Sequence, residues 1–406
     1  MAGQDITQNK QRVVVGMSGG VDSSVAAYLL VQQGYDVVGL FMRNWNDATV
    51  TLEDECPWID DSRDAMMVAE QLGIPFQVVD FSAAYKDRIV DYMFKEYQEG
   101  RTPNPDVLCN REIKFDLFLK EALKLGADFV ATGHYVRKGV LQNDNGGVEY
   151  QLLRGLDPNK DQSYFLCQLN AEQLSKALFP IGELQKSEVR SIATQLNLVT
   201  ADKKDSQGLC FIGKVSLPDF LMQQLAPKEG RVIEIDRAHP SVLAYETQIS
   251  QEGNADSALM RLALKPEMGV DIGVHRGAHF YTRGQRRGLN IGGKILPLFV
   301  IQTSVADNII YVGQGEDHPG LGYRGLKISK EEAHWVRPSI KELSLKRQNF
   351  FCQIRYRQAP FSCQITQDSQ GDIIVIFSNA QRNVTPGQFL ALYDAEELIF
   401  SGVIAF

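Results

Sequence analysis

The sequence lacks a long apolar run, a CxxC pair and any surplus of basic charge. Its hydrophobic stretches are short, with strand-sized runs such as 13–15 and 37–42, far short of the roughly 18 residues that cross a bilayer as a helix. No membrane partner is expected. Met1 to Arg12 is polar, with neither a secretory signal nor an Arg-rich, acid-poor transit peptide legible in it, so the chain reads as cytoplasmic. Six cysteines (Cys56, Cys109, Cys167, Cys210, Cys352, Cys363) in 406 residues are too sparse for a disulfide scaffold. The absence of CxxC argues against a zinc ribbon, and no resident metal ligands stand out. What is there, 44% hydrophobic and 23% charged positions, describes a folded chain too long for one core.

From Arg12 to His134 strand-like runs at 13–17, 37–42, 76–80 and 129–133 alternate with amphipathic stretches, the rhythm of a parallel sheet flanked by helices. A hairpin is expected over 139–154 and helices over 171–178 and 186–196. Beyond Pro227 helical periodicity nearly disappears. Short strands are expected at 231–235, 279–282, 297–303 and 309–312. A further set at 351–356, 363–366, 373–377 and 389–393 predicts a closed small barrel. The expected domains are 1–226, 227–316 and 317–406. From Gly277 onward 14 Lys and Arg face 11 Asp and Glu, +3, against −11 for the rest. A polyanion senses that local field rather than the net −8.

Val13 to Ser24 runs from a strand through Ser18-Gly19-Gly20 straight into a helix expected over 23–33. Glycines let the backbone approach an anion, successive N–H groups form a donor nest, and the helix dipole adds positive charge. Ser18, Ser23 and Ser24 add hydroxyls. Asp22 would repel phosphate unless it cooperates with Mg²⁺. The string lacks GK[ST] and is not a Walker A loop. SGGVDSS resembles the pyrophosphate loop of the PP-loop ATPases, which cleave ATP to AMP and pyrophosphate, and this resemblance implies ATP as cosubstrate.

Cys109 follows Asn104-Pro105-Asp106-Val107-Leu108 and falls just before a helix expected over 112–125. A helix N-terminus, with Arg111 and Lys114 nearby, would lower its thiol pKa and make it a nucleophile candidate. Pro103 and Pro105 stiffen the loop that presents Asp106 and Cys109. Cys210, in Asp205–Gly213, reads by itself equally well as a packed sulfur in a small strand. Two thiols beside ATP activation of a carbonyl-type oxygen point to sulfur insertion, with a disulfide closing the cycle if the Cα atoms come within about 7 Å. Cys56, Cys167, Cys352 and Cys363 read as structural.

These residues, with Leu40-Phe41-Met42, Thr132-Gly133-His134-Tyr135, Lys160-Asp161-Gln162-Ser163-Tyr164-Phe165-Leu166 and Gly284-Gln285-Arg286-Arg287-Gly288-Leu289, resemble the tRNA-specific 2-thiouridylases, which place sulfur at C2 of the wobble uridine. The resemblance implies an α/β fold: a parallel-sheet PP-loop ATPase (adenine nucleotide alpha hydrolase-like) domain, then a small β-rich central domain and a C-terminal β-barrel. It implies ATP with Mg²⁺ at Gly16, Met17, Ser18, Gly19, Gly20, Val21, Asp22 and Ser23, with adenine near Met42 and Gly133. It places the target base at Asn104, Pro105 and Asp106, a persulfide on Cys210, a partner thiol on Cys109 and acid/base work on Asp106. Contacts to a tRNA anticodon stem-loop would come from His134, Lys160, Asp161, Gln162, Gln388, and Arg355 and Tyr356 on a barrel strand. A sulfur-relay protein would supply the persulfide.

Two departures stand out. Residues 237–267 are extra and read as an inserted surface loop. Arg283 occupies a position where the family tends to be aliphatic; an added phosphate contact is one reading, a solvent-facing arginine the favoured one. An amide-forming PP-loop ligase would share the first motif without needing two cysteines. A non-catalytic RNA-binding protein using ATP as a switch would need neither.

Overall fold

The computed structural model describes residues 10–45, 57–142, 146–204, 217–251, 255–345, 347 and 349–406. The chain forms two compact units, Met1–Ile89 with Asp106–Val215, and Val90–Pro105 with Ser216–Phe406. Among the described residues no helix is long and apolar enough to cross a membrane.

The first unit carries β1 (Arg12–Gly16), β2 (Asp36–Arg43), β3 (Phe76–Asp80), β4 (Phe129–Ala131), β5 (Val136–Gln142), β6 (Val148–Arg154) and β7 (Ala177–Leu178). Five form a sheet in the order β3-β2-β1-β4-β7, every neighbouring pair parallel. The expected alternation is there because Val13, Val14 and Val15 are fully buried, as a strand covered on both faces requires. Helices α1 (Val21–Gln32) and α2 (Pro57–Leu72), with Lys186–Gln195, pack Val25, Ala26, Leu30, Ala65, Val68, Val189 and Ala193 around it. Strands β5 and β6 form the expected antiparallel hairpin. The helix expected over 171–178 stops at Lys176, and Ala177–Leu178 becomes the edge strand β7. From β1 the chain steps to β2 and β3 on one side and reaches β4 on the other. Such a reversal opens a crevice at the C-terminal ends of β1 and β4, where α/β sheets bind ligands.

The second unit contains β8 (Gly230–Ile235), β9 (Gly269–His275), β10 (Leu298–Ser304) and β11 (Ile309–Gln314), in the order β10-β11-β8-β9. Then follow β12 (Gly322–Ile328), β13 (His334–Trp335), β14 (Phe350–Gln353), β15 (Phe361–Gln367), β16 (Ile373–Arg382), β17 (Phe389–Asp394) and β18 (Glu397–Val403). These run antiparallel as β12-β16-β15-β14-β17-β18. Ala405, just past β18, bridges back to Lys327 on β12, closing the barrel around Leu326, Val375, Phe377, Leu390 and Phe400.

Several local expectations are corrected. The inserted segment is not simply a surface loop: it forms a helix, Pro240–Ser250, and a short turn, Ala255–Ala258. His239 Nδ1 accepts from Ser241 N, and Pro240 starts the helix where its missing N–H costs nothing. Val242 joins Ile233, Ile235, Ile301 and Leu321 in one core, and the Tyr245 hydroxyl donates to Gly322 O at 2.7 Å. Residues 279–282 are not a strand, because Gly277 turns the chain into the 3₁₀ turn Ala278–Phe280. Arg355 and Tyr356 lie just past the end of β14, in a turn rather than on the strand.

Candidate functional site

Met17 continues β1 by donating to Leu40 O, after which Ser18, Gly19 and Gly20 turn the chain into α1. Gly19 has φ +72°, and a Cβ there would lie 2.2 Å from Asp61 O, so the turn admits only glycine. The hydroxyls of Ser23 and Ser24 donate back to Gly20 O at 3.2 and 2.8 Å, and Ser18 N donates to Ser23 Oγ at 3.1 Å. Thr200, from a distant segment, donates to Ser24 Oγ at 3.1 Å.

The loop after β4 closes on the same helix start. A Cβ on Gly133 would lie 2.6 Å from Ser23 N and 2.7 Å from Asp22 C, so the two loops at the switch point touch backbone to backbone. Gly16 lies beside the Met42 side chain, since a Cβ there would meet Met42 Cε at 3.5 Å. The structure thus brings Gly16, Met17, Ser18, Gly19, Gly20, Val21, Asp22, Ser23, Met42 and Gly133 to one end of the sheet. Asn44, two residues beyond Met42, is 1% exposed, and its amide has no partner among the described residues.

Asp22 is answered by a residue without local sequence signal. Lys186 Nζ lies 2.7 and 2.9 Å from its two oxygens, and the Tyr135 hydroxyl donates to Oδ1 at 2.7 Å. Mg²⁺ needs open oxygen ligands. With both Asp22 oxygens facing an ammonium, and no group of three or more potential ligands among the described residues, the protein does not by itself fit a bound divalent cation.

Cys109 contradicts the expectation of an activated thiol at a helix start. The helical run begins at Pro105 and continues to Lys124, its middle, Cys109–Leu117, wound as π-helix. Cys109 therefore lies inside the run and is fully buried. Burial pushes its thiol up from 9.0 to about 12, with Lys114 opposing and Asp106 reinforcing the rise. Asp106 Oδ1, one helical turn earlier, is buried without a partner among the described residues. Lys114 acts on His134 as well: burial first, and the Lys114 charge second, hold that imidazole well below 6.5. His134 Nδ1 meets Thr132 Oγ1 at 2.7 Å, and its ring lies 6.3 Å from that of Phe115 on the cysteine helix. Cys109 and His134 thus share one buried neighbourhood. Asn110 ties this helix to Phe165 O at 3.1 Å.

Of the expected RNA-contact segment, Asp161 is taken up internally by Arg154 Nε and by the amides of Gly155 and Ser163. Gln162 Oε1 accepts from Tyr135 N at 2.9 Å. Lys160 is half-buried and Arg355 is exposed. In the second unit, Gln388 Nε2 donates to Thr102 O and Pro103 O at 2.9 and 3.1 Å, while its Oε1 accepts from Asn104 Nδ2 at 3.2 Å. Cys167, Cys352 and Cys363 are buried, as packing thiols should be. Cys210, its segment 205–213 and Cys56 lie outside the described residues.

Residues 11–214 match a family described as the tRNA methyl transferase HUP domain. Residues 261–314 match its PRC-barrel domain and 326–404 an aminomethyltransferase β-barrel domain. The chain is 58% identical to the tRNA-specific 2-thiouridylase MnmA of Christiangramia forsetii, over 97% of this chain and 100% of that protein. It is 57% identical to the protein of the same name from Flavobacterium johnsoniae, again over 97% and 100%. For that of Karelsulcia muelleri the figure is 46%, over 98% and 99%. With full-length identity at this level and a glycine cradle at the sheet's switch point, the chain belongs to the tRNA-specific 2-thiouridylase family.

Proposed function

We propose that this chain thiolates C2 of the wobble uridine in the tRNA anticodon, using ATP to activate the C2 oxygen and a cysteine persulfide as the sulfur source. The observation that supports it most directly is the meeting of the loops after β1 and β4 at the start of α1, where a glycine turn brings a helix N-terminus to the end of the sheet, a setting suited to a polyphosphate. As a family member the chain is a tRNA-uridine 2-sulfurtransferase, with three expected parts: the catalytic residues 1–226, the central 227–316 and the barrel 317–406.

In the reading favoured here, ATP phosphates lie on Gly16 to Ser23, with adenine between Met42 and Gly133. Any Mg²⁺ accompanies the nucleotide phosphates. Asn104, Pro105 and Asp106 hold the extruded uracil, and its O2 attacks the α-phosphorus as pyrophosphate leaves. Donors fixed in the cradle stabilise the developing negative charge without reorganising. The terminal sulfur of a Cys210 persulfide, loaded by a sulfur-relay protein, attacks C2, and AMP departs with the former O2. Cys109 attacks the Cys210 sulfur, breaking its bond to the transferred atom. The sulfane sulfur is thereby reduced to the thione and the two thiols are oxidised to a disulfide, which a later thiol must reduce. A thiol with a pKa of about 12 needs a proton acceptor, and Asp106, one turn away with an unpartnered oxygen, fits that role. His134, Lys160, Asp161, Gln162, Arg355, Tyr356 and Gln388 are assigned to the RNA.

Mass spectrometry of nucleosides after incubating purified protein with tRNA, ATP and a persulfide donor tests this. Appearance of 2-thiouridine at the wobble position, with AMP and pyrophosphate in step and loss of product in Cys210→Ala, is the expected result. Absence of any thionucleoside, or full activity in that variant, would discard the reading.

A further inference from the structure

Arg261, the first residue of the stretch matched to the PRC-barrel domain, and Arg283 meet at one place. The Tyr323 and Phe406 rings are stacked, centroids 5.3 Å apart and inclined by 8°. The Arg261 guanidinium lies 5.1 Å from the Tyr323 centroid and 4.2 Å from that of Phe406. That of Arg283 lies 5.7 and 4.7 Å from the same two rings and donates to the Tyr323 hydroxyl. Arg283 is therefore half-buried on an aromatic face and not a free solvent-facing side chain. Arg261 is fixed by Met260 O at 2.8 Å, Gly325 O at 3.0 Å and Ala258 O at 3.3 Å, while its Nε is buried without a partner.

Neither guanidinium pairs with a carboxylate among the described residues. Two like charges held against one aromatic pair repel each other. Burial first, with the Arg283 charge adding to it, pulls the Arg261 pKa down to about 10. Arg286 and Arg287, exposed on the same loop, add two more cations. A bound polyanion would relieve this repulsion, and planar guanidiniums preorganised on rings suit phosphate oxygens.

The cluster adjoins the loop assigned to the target base. Thr282, next to Arg283, places its hydroxyl 3.1 Å from that of Thr102. Gln388 holds Thr102, Pro103 and Asn104, and its carbonyl accepts from Ile404 N, two residues before Phe406. We infer that Arg261 and Arg283, mounted on Tyr323 and Phe406 and flanked by Arg286 and Arg287, form a clamp for the RNA phosphate backbone beside the Asn104 loop. This rests on the proposed tRNA substrate and extends it to Arg261 and Arg283.

The test is binding of an unmodified tRNA transcript to the full-length protein between about 50 and 200 mM salt. Each phosphate contact contributes about −0.9 to the slope of log affinity against log salt, roughly threefold in affinity over that range. Arg283→Gln removes no backbone hydrogen bond and is expected to flatten the slope by about one contact. Affinity at low salt should fall at least about threefold, while ATP affinity stays unchanged and the melting midpoint stays well above the assay temperature. Arg261→Gln combined with it should flatten the slope by about two contacts. If the unaltered protein binds tRNA with a steep slope and Arg283→Gln leaves affinity and slope where they were, the clamp is overturned while the functional reading survives. If the unaltered protein shows no salt-dependent tRNA binding, the functional reading fails and the clamp with it.

Discussion

Lys186 Nζ lies 2.7 and 2.9 Å from the two carboxylate oxygens of Asp22, across 164 positions of sequence. The pair sets an ammonium beside the carboxylate in the first turn of α1. It offsets the repulsion that Asp22 would otherwise exert on phosphate.

Lys186→Met should therefore weaken ATP binding by about tenfold and cost about 1–2 kcal/mol of stability, between the values for exposed and buried pairs. Calorimetric ATP titration and urea denaturation read the two effects. Unchanged ATP affinity would mean that the lysine only anchors its helix.

Gly133→Ala should be far more damaging than an ordinary loop substitution. Its new methyl would meet backbone atoms of Ser23 and Asp22 at 2.6 and 2.7 Å, and backbone in a helix start cannot move aside as a side chain can. A loss of about 2–4 kcal/mol is expected, the range of overpacked cores at its upper end, with ATP binding lost beyond it. A melt and a nucleotide titration check this.

Alkylation of the resting protein should find Cys109 nearly inert at pH 8. Its thiol is pushed up to about 12 by burial, above the ordinary 9.0. The unfolded chain ionises first as pH rises, so this group's contribution to stability is complete below about pH 9 and is lost between there and about 12. His134 works in the opposite sense: held neutral well below 6.5, it favours unfolding as pH falls through that value. Mass-spectrometric alkylation rates and denaturation midpoints across pH test both.

Tyr245→Phe should cost about 1–3 kcal/mol, because it leaves Gly322 O buried without its donor. A loop merely resting on the surface would lose nothing. Urea denaturation distinguishes the two.

Arg355→Ala should weaken tRNA binding about threefold at low salt, equally for different tRNA sequences, and leave ATP affinity alone, as expected of a phosphate contact. Filter binding with several transcripts measures it.

Much of the candidate site at the glycine turn is legible because its signals are local. Val13–Val15 reads as a buried strand, and two glycines followed by serines read as a turn into a helix start. The role of Lys186 is not, since no periodicity links positions 22 and 186. Cys109 looks like a helix terminus in sequence because the apolar pattern begins after Glu112, whereas Pro105 starts the helix earlier and makes that position a buried interior. The helix Pro240–Ser250 is hidden for a related reason: Val242, Tyr245 and Ile249 follow helical spacing, yet the apolar surface they cover is supplied by strands on either side of it.

Residues Val90–Pro105 belong with Ser216–Phe406, while the chain on both sides of them belongs to the other unit. The polypeptide therefore passes from one unit to the other at 89/90, 105/106 and 215/216. No single cleavage or gene split separates the two halves intact. A fragment starting near residue 216 would leave Gln388 without Thr102, Pro103 and Asn104. Exchanging the barrel alone would orphan the same segment, so an engineered swap has to carry residues 90–105 with it.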